Sequence, residues 1–154
     1  MDPFRERTNA KKEINMLFEF STDIYAQAIL FKDLHETQLQ ILNTTFSKLE
    51  SSNDDPEYHL EYNGEIVASD GYVWNYNFPF LDIYYEVKEN HRRKGFGSLI
   101  TQELKKQAYK LDRVPAARCN VKNKASQRTL LKAGMQVCGH ILIGKIITDN
   151  LFAS

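Results

Sequence analysis

The sequence predicts a mixed α/β (α+β) domain, and three observations support that fold class. Asn63-Gly64 lies between two runs of strand-forming residues, which is the pattern of a β-hairpin. The segment FPFLDIYYEV alternates apolar and polar residues, as a half-buried strand does. Strand-like and helix-like stretches then follow in turn, and a strand–helix–strand step predicts two parallel strands joined by a right-handed crossover.

Composition limits the class of protein before any motif is considered. The chain has 154 residues, 42% of them hydrophobic, which is enough apolar material for the core of one domain. Lys plus Arg and Asp plus Glu both number 20, so the formal net charge is zero. A general affinity for nucleic acid or for an anionic membrane is therefore not expected, and any anion site must be local.

Neither a membrane span nor a secretion signal is expected from the sequence. No apolar run approaches the roughly 20 residues that cross a bilayer, and the charged N-terminus lacks the apolar core of a signal peptide. Cys119 and Cys138 are too far apart for a CxxC motif and have apolar neighbours. We expect two reduced, partly buried thiols, and hence a cytoplasmic location.

The N-terminal third carries the weakest pattern. Residues 1–15 predict a polar extension, and residues 16–154 predict the domain itself. In ETQLQILNTTFSKLES, apolar residues recur at steps of three and four, which predicts a helix. These residues are Leu39, Leu42, Phe46 and Leu49. The turn-forming stretch SSNDDPE is expected to end that helix.

The next elements follow from period-two and turn patterns. The residues on either side of Asn63-Gly64 predict two antiparallel strands. In the following strand, one face is apolar and the other carries two carboxyl groups and a phenol. The apolar face consists of Leu81, Ile83, Tyr85 and Val87, and the polar face of Asp82, Tyr84 and Glu86.

The last third predicts helix, strand, helix and strand. A helix is expected from about Gly97 to Leu111, with an apolar stripe of Leu99, Ile100, Leu104 and Ala108. VPAARCNV predicts a strand. NKASQRTLLKAG predicts a second helix that begins at Asn123 or Lys124, turns Leu130 and Leu131 inward, and ends at Gly134. MQVCGHILIGKII predicts the closing strand, with a turn at Gly144.

The stretch HRRKGFGSLI lies where a strand gives way to a helix, which is the usual position of ligands in open α/β sheets. The first turn of a helix has unpaired N–H groups and a partial positive charge. Gly95 and Gly97 let an anion approach the main chain, and Arg92, Arg93 and Lys94 add positive charge. This combination predicts a site for a phosphate or diphosphate. Neither a P-loop nor a three-glycine dinucleotide fingerprint is present.

The sequence from Arg92 to Gly97 resembles the Q/R-x-x-G-x-G/A signature of the GNAT superfamily of acyl-CoA N-acyltransferases. LDIYYEV resembles the fourth strand of that family, and CNVKNKASQRTLLKAGMQVCGHIL resembles its next strand, helix and closing strand. The resemblance covers residues 58–143. It implies a GNAT-type fold, in which a mostly antiparallel sheet is flanked by helices and a parallel strand–helix–strand step forms the cofactor site.

The resemblance also implies acetyl-CoA, or another acyl-CoA, as the cofactor. Its diphosphate would be held by the loop from Arg92 to Ser98, which includes Lys94 and Phe96. Its arm would pair with the strand end at Tyr85–Val87, and the N–H near Val87 would polarise the thioester carbonyl. Asn123 matches a position that contacts the arm. No metal is implied.

The expected chemistry is direct attack of a neutral amine on the thioester in a ternary complex. It needs a base for the amine proton, donors for the developing oxyanion and an acid for the leaving thiolate. Glu86 is the first candidate for the base and Asp82 the second. Many relatives carry a tyrosine that acts as this acid, but the matching position here is Leu130. Tyr84 or Tyr85 would then protonate the thiolate instead, or the thiolate would leave unassisted.

Three classes of function stay open at this stage. The first is an N-acetyltransferase acting on a primary amine of a small molecule or peptide. The second is an acyl-CoA-binding regulatory or interaction module without turnover, and the third a basic-loop nucleic-acid binder, against which the zero net charge argues. The poorly matched first 55 residues predict either an unusual acceptor site or a piece of a longer chain. The short C-terminus suggests that a second copy completes the sheet edge, as a homodimer.

Overall fold

The computed structural model describes residues 21–33, 38–49 and 56–147. Within these ranges it contains seven strands, two helices and a 3-10 turn at Glu89–His91. The strands are β1 (Ser21–Asp33), β2 (Thr44–Lys48), β3 (Glu57–Tyr62), β4 (Glu65–Val73), β5 (Phe80–Val87), β6 (Val114–Asn120) and β7 (Met135–Ile146), and the helices are α1 (Phe96–Lys110) and α2 (Lys124–Lys132). Neither helix is long and apolar enough to cross a membrane.

The chain divides into two compact units. The larger unit is Ile29–Gly139, and each of the seven strands contributes residues to it. The strands form one sheet in the order β2-β3-β4-β5-β6-β1-β7. The smaller unit comprises Met1–Ala28 and His140–Ser154. In it the first part of β1 lies against the last part of β7, where Lys145 Nζ is 3.1 Å from Asp23 Oδ2.

The first half of the sheet is an antiparallel meander. β2 pairs with β3, β3 with β4 and β4 with β5, all antiparallel. The β3–β4 turn is the predicted hairpin, and both Asn63 (φ 51°) and Gly64 (φ 80°) have the positive φ that such a turn requires. β5 and β6 are parallel, as the strand–helix–strand pattern predicts.

Helix α1 packs on the sheet through the predicted apolar stripe. Leu99, Ile100, Leu104 and Ala108 are all buried. They meet the inward-facing side chains of the meander and of β5, among them Leu60, Val67 and Ile83. Burying each large aliphatic side chain contributes about 1.5 to 3 kcal/mol. This packing fixes the start of α1 beside the end of β5.

The second half of α1 also carries buried polar side chains, and these have partners. Lys105 Nζ lies 2.9 Å from Asp33 Oδ1 and donates to the carbonyl of Ala133 at 2.6 Å. The Tyr109 hydroxyl donates to Asp33 Oδ2 at 2.5 Å. Gln102 pairs through both ends of its amide with the main chain of Leu39. These contacts tie β1, the segment before β2 and the end of α2 to one helix.

The helix predicted over ETQLQILNTTFSKLES is wrong. Thr44–Lys48 forms β2, and residues 38–43 are not helical. The β-branched threonines and Phe46 pair with β3, and this pairing with the next strand outweighs the three-four spacing of apolar residues. Leu42, assigned to the apolar stripe, is 83% exposed. Residues 36, 37, 50 and 51 lie outside the described residues, as does the polar extension 1–15.

Three smaller predictions are also corrected. Leu131 is 53% exposed, whereas Leu130 is buried as expected. Gly144 lies within β7 and makes no turn. Cys119 is buried but Cys138 is exposed, and both are free thiols. The remaining predicted strands and helices in residues 57–146 are confirmed within a few residues, including the positive φ of Gly134 after α2.

Candidate functional site

The two parallel strands of the sheet separate at one end. β5 and β6 pair only at Phe80–Val114, Leu81–Pro115 and Asp82–Ala116, although both strands continue beyond those pairs. A cavity of about 270 Å³ occupies the gap, and we call it the wedge cavity. Its walls come from β4, β5, β6, helix α2 and Asn75, with Asp82, Tyr84, Tyr85, Arg118, Ser126 and Leu130 among the lining residues.

The main chain of β5 offers hydrogen-bonding groups to this gap. The amide of Lys88 donates to the carbonyl of Val67 on β4 at 2.9 Å. Because main-chain groups alternate in direction along a strand, those of Tyr85 and Val87 face away from β4, toward the side that β6 has left. A ligand in the wedge can therefore pair with β5 where β6 no longer does.

The loop between β5 and α1 presents a row of amides without acceptors. None of the amides from Arg93 to Ser98 donates to a main-chain carbonyl of the described residues, and the first bond of α1 is that of Leu99 to Gly95. Arg93 (φ 64°) and Gly95 (φ 89°) are both left-handed, which turns successive N–H groups toward one side. This geometry, with the exposed side chains of Arg92, Arg93 and Lys94, can hold an anion.

Arg92 also has a structural contact, because its Nε donates to the carbonyl of Val87 at 3.2 Å. This bond joins the loop to the end of β5. Phe96, the first residue of α1, is buried 5.1 Å from the ring of Tyr62. The Ser98 hydroxyl donates to the carbonyl of Thr129 on α2 at 3.2 Å. Phe96 and Ser98 thus anchor the loop to Tyr62 and to helix α2, and their side chains are not available to a ligand.

The two glycines of the loop, Gly95 and Gly97, have different structural roles. Gly95 supplies the left-handed turn. Gly97 lies where α1, α2 and β5 converge, since a Cβ there would be 3.0 Å from Thr129 Cγ2 and 3.2 Å from Tyr85 Cε2. The missing side chain lets the Tyr85 ring pass, and the Tyr85 hydroxyl reaches to 3.3 Å from Ser126 Oγ on α2. Gly97 therefore also has a packing role, because any side chain there would crowd Thr129 and Tyr85, and this role was not predicted from the sequence.

Asp82 lies deep in the wedge cavity and is 5% exposed. The Asn75 amide donates to its Oδ2 at 3.3 Å, and Arg118 Nε is 3.8 Å away. Burial raises the pKa of the Asp82 carboxyl, while Asn75 and Arg118 act in the opposite direction. The polar partners of Asp82 were not anticipated from the sequence.

Glu86 lies on the same face of β5 as Asp82 but lines another cavity. This second cavity has a volume of about 430 Å³ and is formed by β3, β4, β5 and Leu49. Tyr84 lines both cavities, whereas Asp82 lines only the wedge cavity and Glu86 only the second. The structure therefore brings the predicted residues Tyr84 and Glu86 together and separates Asp82 from Glu86.

The two predicted positions on α2 have clear local roles. Asn123 is the N-cap, and its Oδ1 accepts from the amide of Ser126 at 3.0 Å. Leu130, at which the family resemblance implied a tyrosine, is 1% exposed and lines the wedge cavity with an apolar side chain. A contact of Asn123 with a cofactor stays a prediction.

Asp70 of β4 was not among the site residues predicted from the sequence. It is 2% exposed, and neither carboxyl oxygen has a hydrogen-bond partner among the described residues. Burial raises the pKa of Asp70 to about 8. The signal was present in the sequence, because Ala68, Asp70 and Tyr72 occupy the inward positions of β4 and only one of the three is charged.

Comparison with known proteins was consistent with this geometry. The model of the "Acetyltransferase (GNAT) family" matches residues 16–135. No curated protein matches the chain. Solved structures share the fold at low identity. A GNAT-family acetyltransferase from Colwellia psychrerythraea aligns with a TM-score of 0.72 and 12% identity, over 88% of this chain and 61% of its own.

Two further structures agree. A GCN5-related N-acetyltransferase from Kribbella flavida has a TM-score of 0.63 at 15% identity, over 86% of this chain and 63% of its own. A GCN5-related N-acetyltransferase from Sphaerobacter thermophilus has a TM-score of 0.61 at 13% identity, over 89% of this chain and 56% of its own. The chain thus spans less than two thirds of the length of each of these structures. The family match covers most of the sequence, and the chain belongs to the GNAT acetyltransferase family.

Proposed function

We propose that the protein is an N-acetyltransferase that moves an acetyl group from acetyl-CoA to a primary amine by direct attack. The observation that carries this proposal is the separation of β5 and β6 beside a loop of amides without acceptors. A long ligand with an anionic end fits both features at once. Membership of the GNAT family supports an acyl-CoA and an acceptor of some kind, and the acetyl group and the amine are our proposals.

The residues present suit a coenzyme A thioester. The amides of residues 93–98 and the cations of Arg92, Arg93 and Lys94 would hold the diphosphate. The main-chain groups of Tyr85 and Val87 that face the wedge would pair with the amide-containing arm. Asn123, at the start of α2, would contact the same arm through its amide nitrogen, because its oxygen is used in the N-cap.

When bound, the thioester supplies an activated carbonyl carbon. The amide N–H of Val87 would donate a hydrogen bond to the thioester oxygen on which charge develops. Glu86 accepts the proton of the attacking amine, directly or through water, since an ammonium group with a pKa of about 10 is mostly protonated at pH 7. Glu86 is exposed, so the amine can reach it from solvent.

Asp82 and Tyr84 have supporting roles in this proposal. Asp82 is the second candidate for the base, and its position deep in the wedge cavity beside Arg118 makes it the less accessible one. Tyr84 lines both cavities and is the candidate acid for the leaving thiolate, because the apolar Leu130 cannot donate a proton. A cytoplasmic location and a homodimer remain proposals that rest on the sequence alone.

Binding is tested first by thermal unfolding with acetyl-CoA. A ligand at about one hundred times its dissociation constant stabilises the folded state by about 2.7 kcal/mol. We expect acetyl-CoA to raise the melting temperature of the wild type and not that of Gly95→Glu, which adds a negative charge to the loop. Gly64→Glu is the matched control, since Gly64 also has a positive φ but lies in the β3–β4 turn. Equal protection of all three proteins would contradict the proposed site.

Turnover is tested by release of free CoA thiol from acetyl-CoA across a panel of amines. We expect Glu86→Gln to lower kcat about a hundredfold at pH 7, with a smaller loss at high pH where the amine is already neutral. Glu103→Gln, at a half-buried position of α1 that lines neither cavity, should match the wild type. Tight binding of acetyl-CoA without turnover of any amine would favour an acyl-CoA-binding module over an enzyme.

A further inference from the structure

The 430 Å³ cavity lies over one face of the sheet between β3 and β5. Glu57 of β3, Gly71 of β4 and Tyr84 of β5 lie opposite one another in register. Two residues further along β4 and β5, Ser69 pairs with Glu86. Residues opposite each other share a face of a sheet, and so do residues two apart on one strand. The side chains of Glu57, Tyr84 and Glu86 therefore enter the same space.

This cavity, which we call the acidic cavity, has no cation among the described residues that line it. Its residues are Leu49, Glu57, Tyr58, Ser69, Asp70, Tyr84, Tyr85 and Glu86. Glu57 and Glu86 are both exposed, and neither forms an ion pair with a described residue. The two carboxylates are thus free to bind a positively charged ligand.

Asp70 of β4 is also among the residues that line the acidic cavity, but alternation along β4 directs its carboxyl group to the face of the sheet opposite Ser69, away from Glu57 and Glu86. It is 98% buried, and neither of its oxygens has a partner among the described residues. A buried carboxyl without a partner is costly, and such groups occur where a ligand or a reaction needs them.

The two free carboxylates are separated by an aromatic surface. Glu57 and Glu86 lie two strands apart and two residues out of register, so their Cα atoms are roughly 12 Å apart by standard sheet spacing. Tyr84 lies between them. Its hydroxyl sits over Gly71, where a Cβ would be only 2.5 Å away, and its side chain is partly exposed. The ring offers apolar contact to a chain running from one carboxylate to the other.

We infer that the acidic cavity binds an acceptor with two cationic groups joined by an aliphatic chain, in the class of linear diamines and polyamines. One ammonium group pairs with Glu57, the methylene chain lies on Tyr84, and the other amine, neutralised at Glu86, receives the acyl group. This inference rests on the proposed function, because it takes Glu86 to be the base. It adds Glu57 as a residue that determines which amine is used.

The test compares a linear α,ω-diamine with the monoamine of equal chain length. Thiol release gives kcat and KM for each, and calorimetry gives the affinity of each amine for the protein in the presence of CoA. A charge-assisted hydrogen bond favours the diamine by about tenfold or more. We expect that preference in kcat/KM and in affinity, and we expect Glu57→Gln to remove it through KM while leaving the monoamine unchanged.

Glu61→Gln is the matched control, since Glu61 lies on the same strand, pairs with His59 and does not line the acidic cavity. It should keep the preference for the diamine. Equal use of the two amines by the wild type, or a preference that survives Glu57→Gln, would overturn the inference and leave the proposed function intact. Selective binding of the diamine without any turnover would support the cavity and count against the proposed acyl transfer.

Discussion

The polar groups at the two ends of helix α1 differ in whether they have hydrogen-bond partners. Around its second half, the buried side chains of Asp33 and Lys105 pair with each other, and Tyr109 and Gln102 have partners as well. Around its first turn, a row of amides has no main-chain acceptor within the described part of the chain, and the buried Asp70 of β4 likewise has no hydrogen-bond partner there. Groups with partners hold a fold together, whereas groups without partners show where something else is expected to bind.

The largest effect on stability should come from removing the buried ion pair at the second half of α1. Lys105→Met leaves Asp33 buried without its cation, and removal of one partner from a buried pair costs about 3 to 5 kcal/mol. We expect that loss in the free energy of unfolding measured with urea. Lys106→Met removes a partly exposed pair with Glu103 on the same helix and should cost less than about 1 kcal/mol. Similar costs for the two variants would mean that the buried pair is not a structural requirement.

The next largest effect on stability should come from removing the carboxyl group of Asp70, which has no hydrogen-bond partner among the described residues. The folded-state pKa of Asp70 is about 8, above its ordinary value of 3.8, so only the folded state keeps this proton between pH 4 and pH 8. Stability therefore falls as pH rises through that range and levels off above it. Asp70→Asn should lack this slope and be more stable than the wild type at pH 8, by an amount on the order of a few kcal/mol.

Unfolding curves for both proteins at pH 4, 6 and 8 measure this difference. The advantage of Asp70→Asn should be near zero at pH 4 and grow toward pH 8. Parallel pH dependence in the two proteins would show that Asp70 has a partner in solution. A variant that is more stable but less active would indicate that the carboxyl is kept for function.

The smallest effect concerns the loop at the unsatisfied end. Gly95→Ala puts a side chain at φ 89° and should cost about 1 kcal/mol of stability. It should also reduce the thermal protection by acetyl-CoA, because the amides turn away from their common side. Gly139→Ala is the control, since a Cβ there meets only Leu30 at an ordinary 3.7 Å. Unchanged protection in Gly95→Ala would separate the backbone conformation from ligand binding.

The sequence was informative where pairing is local. The hairpin at Asn63-Gly64, the strand Phe80–Val87 and the two helices all follow from patterns within a few residues. β1 was missed because its neighbours in the sheet, β6 and β7, are distant in the chain. β2 was missed because its apolar residues recur at helical steps, although it pairs with the next strand, β3. A pattern within one segment carries no information about such partners.

The candidate site divides in the same way. The anion loop could be predicted from glycine spacing and the cations around it, since a helix start is a local feature. The acidic cavity could not, because Glu57 and Glu86 meet only through the register of three strands. The packing role of Gly97 likewise depends on Thr129 and Tyr85, which come from two other elements.

The position of β1 in the sheet bears on how the chain is made. β1 ends at Asp33, yet its two neighbours begin at Val114 and Met135. During synthesis on a ribosome, β1 emerges before both of its neighbours and keeps both of its edges unpaired until β6 and β7 have been translated. Pairings so distant in sequence slow folding and expose strand edges in the interim. Newly made chains should therefore depend on chaperones until β7 has emerged.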